Sequence, residues 1–119
     1  MRVIAIDDNQ ELLDLMETYL CEGGHNVVAT SCAKVGFQHV VAGGVDALVT
    51  DILMPDMDGI EVIKSLRRSH PNLWIVAISG GGTRLPANLA LTMSQAFGAD
   101  RLLYKPFTRT ELLTAMCPA

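Results

Sequence analysis

Val45-Asp46-Ala47-Leu48-Val49-Thr50-Asp51-Ile52-Leu53-Met54-Pro55-Asp56-Met57-Asp58-Gly59 is the stretch on which the fold turns. Its first half is an apolar run of the kind buried on both faces of a parallel sheet, and it ends by delivering a carboxylate, Asp51. Pro55 has no backbone N–H and biases Met54 towards an extended conformation, so strand pairing is expected to stop there. Asp58-Gly59-Ile60-Glu61 has the form of a helix start, with a capping aspartate and a glutamate three residues on. A strand hands a charged side chain to a loop, and the chain returns as a helix. In open α/β sheets that carboxyl edge is where ligands bind.

The same punctuation repeats on both sides. Val3-Ile4-Ala5-Ile6 is a buried-strand run that stops at Asp7-Asp8. From Asn9 the period changes, with Leu12, Leu13, Leu15, Met16, Tyr19 and Leu20 on one helical face until Gly23-Gly24. Val27-Val28-Ala29 is a second strand. Thr30 and Ser31 are then expected to cap a helix whose apolar positions are Ala33, Val35, Phe37, Val40 and Val41, closed by Gly43-Gly44. After the central stretch, Ile60, Val62, Ile63 and Leu66 mark a helix that stops before Pro71. Trp74-Ile75-Val76-Ala77-Ile78 is the fourth strand and releases Ser79. Gly80-Gly81-Gly82 reads as a loop, and Pro86 opens a helix through Leu89, Leu91, Met93 and Phe97 to Gly98. Leu102-Leu103-Tyr104 is a short fifth strand ending at Lys105-Pro106, and Thr108-Arg109-Thr110-Glu111 is a capping box for a last helix. The alternation predicts an α/β fold of (βα)5 type: a doubly wound parallel five-stranded sheet with right-handed crossovers.

Composition sets the limits. The 119 residues carry 50% hydrophobic and 18% charged side chains, which excludes a disordered chain and suits one domain spanning 1–119. A net charge of -4, with no basic cluster larger than Arg67-Arg68, argues against a nucleic-acid surface. Cys21, Cys32 and Cys117 are too few and too scattered for a disulfide framework or a zinc site, and fit reduced cytoplasmic thiols. No apolar run has membrane-spanning length, and no secretory leader is expected before the first strand. His25, His39 and His70 have no ligand spacing and read as surface or turn residues, and Trp74 as packing.

Chemistry gathers where the strands end. Asp7-Asp8, Asp51, Ser79 and Lys105 all fall at the carboxyl edge, although packing asks only for apolar strands. Carboxylates brought close repel, and at neutral pH a hard divalent cation with oxygen ligands relieves them. Mg2+ suits this, since it takes one or two carboxylates, keeps waters and accepts phosphate oxygens. Lys105 is then a point charge for an anion beside the metal, and Ser79 a hydrogen-bonding partner for the same anion. A metal, a lysine and a hydroxyl around one carboxylate describe a phosphoryl acceptor.

These residues, with Asp51 in D-I-L-M-P-D-M-D-G and Gly98-Ala99-Asp100 leading to Lys105-Pro106-Phe107, make the whole chain resemble a response-regulator receiver domain of two-component signalling. The resemblance implies a flavodoxin-like sheet of strand order 2-1-3-4-5. It implies that Asp51 accepts a phosphoryl group from a phosphohistidine of a sensor histidine kinase or histidine phosphotransfer protein. Asp8, Asp51 and the Leu53 carbonyl would bind Mg2+ directly and Asp7 through water. Lys105, beside a cis bond to Pro106, would contact the phosphoryl oxygens, and Ser79 would be the switch hydroxyl. Such a protein catalyses only its own phosphorylation and dephosphorylation, and acts on a downstream protein target.

Three departures from the family pattern stand out. Leu102 occupies the position of the switch aromatic, with Tyr104 beside the lysine instead. Ser79 and Lys105 are 26 residues apart, longer than the family spacing, with the excess expected in Gly80–Leu85. The last helix is short, and no output domain is expected after it. Three rival readings are weaker. A flavin-binding domain of this topology would have Asp7-Asp8 repelling the flavin phosphate. A phosphohydrolase with an aspartyl intermediate would want an acid where Leu53 stands. A degenerate receiver acting only as an interaction module would lack an acceptor-site residue, and none is missing.

Overall fold

Five apolar runs become five parallel strands: β1 Arg2–Ile6, β2 Asn26–Thr30, β3 Ala47–Asp51, β4 Trp74–Ser79 and β5 Arg101–Tyr104. The computed structural model describes residues 1–54, 57–80 and 97–117, and at 53, 54, 57 and 58 the backbone alone. The expected glycine loop beyond Gly80 and the helix opening at Pro86 lie outside the described residues. The sheet has the order β2-β1-β3-β4-β5. Val3 pairs with Val27 on one side and Ala47 on the other, Thr50 with Ala77, and Ser79 with Tyr104. Because every strand runs the same way, every carboxyl end reaches one edge.

Alternation along the strands splits the core in two. Val3, Ala5, Ala47, Val49, Val76, Ile78 and Leu103 face helices α1 (Gln10–Glu22) and α4 (Arg109–Ala115). Ile4, Ile6, Leu48, Ile75 and Ala77 face α2 (Ala33–Ala42) and α3 (Gly59–Ser69). The central strand β3 is buried along its whole length, which explains its unbroken apolar run. Truncating a large residue such as Ile78, fully enclosed, to alanine is worth about 2–5 kcal/mol by the usual cost of a core cavity.

Several local expectations shift. Leu15, Val35 and Val41 fall on apolar helix faces by sequence period, but they are exposed, Val41 by 69%. The buried stripe of α2 is Ala33, Gly36, Phe37 and Val40, and Gly36 is there because a Cβ would collide with the Ile6 side chain. Thr30 does not cap α2 through its helical amides. Cys32 is the cap residue, without a side-chain bond, and Thr30 Oγ1 accepts the Cys32 N–H at 3.1 Å. Chain pairing does not end at Pro55 either, because Leu53–Met54 and Met57–Asp58 form a two-residue antiparallel hairpin before α3. The capping box at Thr108 and Glu111 is present with both of its bonds.

One side chain of α3 ties the amino edge together. Arg67 donates to the carbonyls of Gly98 (2.9 Å), Pro71 (2.9 Å) and Leu73 (2.8 Å), and to Asp100 Oδ2 at 2.6 Å. Asp100 Oδ2 also accepts the Ile75 N–H at 2.8 Å. Gly98, at φ +99, passes so close to Arg67 that a Cβ would lie 3.0 Å from the arginine Cβ. The turn after α3, the start of β4 and the approach to β5 thus meet on one guanidinium. Trp74 is packing, as expected, with its ring under Arg101 and its Nε1–H donated to the Ala115 carbonyl at 2.9 Å.

Candidate functional site

Parity brings the charges together. Asp7 continues the face of Val3 and Ala5, Asp51 that of Ala47 and Val49, and Lys105 that of Leu103. All three side chains emerge beyond the core on the side of α1 and α4. Lys105 Nζ lies 2.8 Å from Asp51 Oδ2 and 2.9 Å from Asp7 Oδ2. The lysine stem runs along Gly80, where a Cβ would stand 3.1 Å from its Cδ, and the Lys105 N–H donates to the Ser79 carbonyl at 2.9 Å. The Lys105–Pro106 bond is cis, as the family resemblance implies.

The two contacts of the lysine are not equivalent. The one to Asp51 is an aligned hydrogen bond, whereas the one to Asp7 has ion-pair distance without hydrogen-bond alignment. Asp7 Oδ2, wholly buried, therefore has no hydrogen-bond partner, while Oδ1 accepts the Asn9 N–H at 2.8 Å. Burial raises the Asp7 pKa above its ordinary 3.8, against the opposing pull of the Asn9 amide and of Lys105. Burial alone would lower the Lys105 pKa, but its close contacts with Asp51 and Asp7 and their negative charge outweigh it and hold the value above 10.5.

Asp8 completes the acidic group. It is exposed, and oxygens of Asp7, Asp8 and Asp51 all lie within 4.8 Å of one another. Three carboxylate oxygens at that spacing, from residues of which Asp7 and Asp51 are buried, are a donor set suited to a hard divalent cation. Ser79 arrives differently. It inherits the opposite face from Ile75 and Ala77 and stands half-buried at the same edge. Leu53 opens the hairpin two residues after Asp51. Leu102, at the position of the family's switch aromatic, packs against the α2–α3 core, and Tyr104 stands in register with Ser79.

One glycine and one asparagine also shape the pocket. Gly59, the first residue of α3, lies against the backbone of Ile52, where a Cβ would come within 2.7 Å of both its Cα and its carbonyl oxygen. Backbone cannot give way there as a side-chain tip would. Gly59→Ala is expected to cost roughly 1–3 kcal/mol as overpacking, read as a lower urea midpoint at unchanged slope. Asn9 donates its backbone N–H to the Asp7 carboxylate, and an Asn directly after an acid pair, at the head of a helical pattern, is the sequence signal for a cap.

The family model described as "Response regulator receiver domain" matches residues 3–117. This chain belongs to that family. The receiver is 27% identical over 111 residues to response regulator SaeR of Staphylococcus aureus (strain USA300), covering 93% of this chain and 46% of SaeR. It thus spans about half the length of the curated relatives it matches. Among solved structures, the CheY-like response regulator receiver domain protein of Methanospirillum hungatei JF-1 superposes with a TM-score of 0.81 at 25% identity, covering 95% of this chain and 87% of that one. Chemotaxis protein CheY4 of Vibrio cholerae gives a TM-score of 0.80 at 24% identity, over 97% and 94% of the two chains. That likeness supports the flavodoxin-like, doubly wound fold. No helix among the described residues of the receiver is long and apolar enough to cross a membrane.

Proposed function

We propose that this receiver domain takes a phosphoryl group on Asp51 from a phosphohistidine of a sensor histidine kinase or histidine phosphotransfer protein. The observation that carries the reading is the contact of one lysine with two buried carboxylates, Asp7 and Asp51, at the edge that Asp8 also lines. Asp8, Asp51 and the Leu53 carbonyl would hold Mg2+, with Asp7 acting through water, and the ion would supply charge neutralisation at the phosphoryl oxygens.

In the transfer, a carboxylate oxygen of Asp51 attacks phosphorus in line with the P–N bond of the donor. The P–O bond forms as the P–N bond breaks, the electron pair stays on the imidazole nitrogen, and an acyl phosphate remains on Asp51. Lys105 leaves the carboxylate for the new phosphoryl oxygens, which carry about -1.5 to -2 of charge. Ser79 then turns inward to the same oxygens. A switch follows because the two conformers bind the modified group with different strength. The altered surface would act on a downstream protein. As a receiver of this kind the chain catalyses its own phosphorylation and dephosphorylation and no other reaction, in the cytoplasm and without nucleic acid or membrane as partner.

The test is intact mass after incubation with a small phosphodonor and Mg2+. Wild type is expected to gain one phosphoryl unit and Asp51→Asn none. Equal labelling of both proteins moves the acceptor elsewhere, and no labelling of either leaves an interaction module that works without phosphate.

A further inference from the structure

Asn9 makes three bonds in the turn that joins β1 to α1. Its N–H donates to Asp7 Oδ1 at 2.8 Å, its side-chain oxygen accepts the Leu12 N–H at 3.2 Å, and its carbonyl accepts the Leu13 N–H at 2.9 Å. Its backbone is extended, with φ -86 and ψ 108, so α1 begins abruptly at this residue. With Oδ1 committed to Asn9, Asp7 is left with Oδ2, the buried oxygen that lies 2.9 Å from Lys105 Nζ. Asp8 sits between Asp7 and Asn9, and no side-chain bond among the described residues holds it. The bearing of its carboxylate is therefore set by the turn that Asn9 closes.

We propose that Asn9 is a positioning residue for the acidic pocket: through its cap on α1 it holds two of the three acids, Asp7 and Asp8, ready for a divalent cation. This rests on the reading of the pocket as a Mg2+ site. Alanine at position 9 would leave the Leu12 amide without its cap and let the first turn of α1 fray. The Asp7–Asp8 turn would then explore more conformations, and ordering it again would be charged against cation binding. Residues that orient metal ligands are usually worth about 10–100-fold in affinity, and a restraint acting through the backbone belongs at the lower end.

Titration calorimetry with magnesium chloride decides it, on wild type, Asn9→Ala, Asn9→Ser and Trp74→Phe. Serine caps as well as asparagine, so Asn9→Ser retains the restraint. Trp74→Phe removes the Nε1–Ala115 bond at the opposite edge of the sheet, a loss of similar size that loosens the domain without touching the turn. The expected result is Mg2+ binding about tenfold weaker in Asn9→Ala, with the other two within about twofold of wild type. Wild-type affinity in Asn9→Ala, or equal weakening in Trp74→Phe, overturns the positioning role. Wild type that takes up no Mg2+ overturns the metal reading beneath it, and the two failures are told apart by the first titration alone.

Discussion

Lys105→Met is expected to lower the stability of the domain by about 3–5 kcal/mol at neutral pH, the usual cost of removing one partner from a buried ion pair. The wild-type lysine is 23% exposed at its side chain, whereas those of Asp7 and Asp51 are 0% and 5% exposed. Methionine keeps much of the apolar stem along Gly80 and takes away the charge. Two buried carboxylates would then face each other with little water to screen them. The defect should shrink with acid. The Asp7 carboxyl, its pKa raised chiefly by burial, takes up a proton more readily in the fold than in the unfolded chain. Without the ammonium, which pulls it down in wild type, that pKa stands higher still, so the added penalty is whole above the variant's value, falls as pH drops through it, and is gone below the wild-type one. Lys105 behaves in the opposite sense in wild type. Its raised pKa means that its contribution is complete below 10.5 and lost only as pH rises through the value in the fold. Urea unfolding of both proteins at neutral pH and near pH 5 checks this, with a smaller gap expected in acid. A gap that stays constant or widens refutes the account. Mg2+ should return part of the loss by binding the folded state alone.

Arg67→Ala is expected to cost about 3–4 kcal/mol, from three hydrogen bonds to carbonyls and a charged one to Asp100, at the usual range for bonds made by an ionised group and allowing for overlap among them. The loss leaves more than missing bonds. Asp100 keeps the Ile75 amide but has no cation, and the Gly98 and Leu73 carbonyls are left to find water in a half-buried place. Arg67→Lys should recover only a minor part, because an ammonium cannot reach three carbonyls and a carboxylate in one fork. Urea midpoints and hydrogen exchange at the Ile75 and Asp100 amides give the measurement. Exchange should quicken at both, since the Asp100 N–H donates to the Ile75 carbonyl at 2.7 Å within the same cluster. A loss below about 1 kcal/mol would mean that the cluster is an exposed pair with little net value.

Much of this could be read from residue order because the physics involved is local. An apolar run bounded by Gly, Pro or Asp states its own secondary structure, and five such runs alternating with helical patterns leave few ways to build a sheet. Asp7, Asp51 and Lys105 were legible for the same reason, since each ends a strand and all parallel strands end on one edge. Faces of helices were less legible. Val35 and Val41 fit an apolar stripe by composition, yet α2 rotates to place Gly36 against Ile6, and that close approach decides which side is covered. The two-residue hairpin after Asp51 is not legible in the sequence, because Pro55 forbids a ladder bond at one position without forbidding pairing on either side of it.

The order of residues by itself determined the alternation, the parallel sheet and the three charges at its edge, because side-chain period and turn chemistry act over a few neighbours. Tertiary structure alone decided which oxygen of Asp7 takes the Asn9 N–H and which faces the Lys105 ammonium, and that Arg67 gathers three segments onto one guanidinium. Those facts depend on distances between segments dozens of residues apart, and a distance of that kind exists only once the core has packed and fixed how the elements lie against one another.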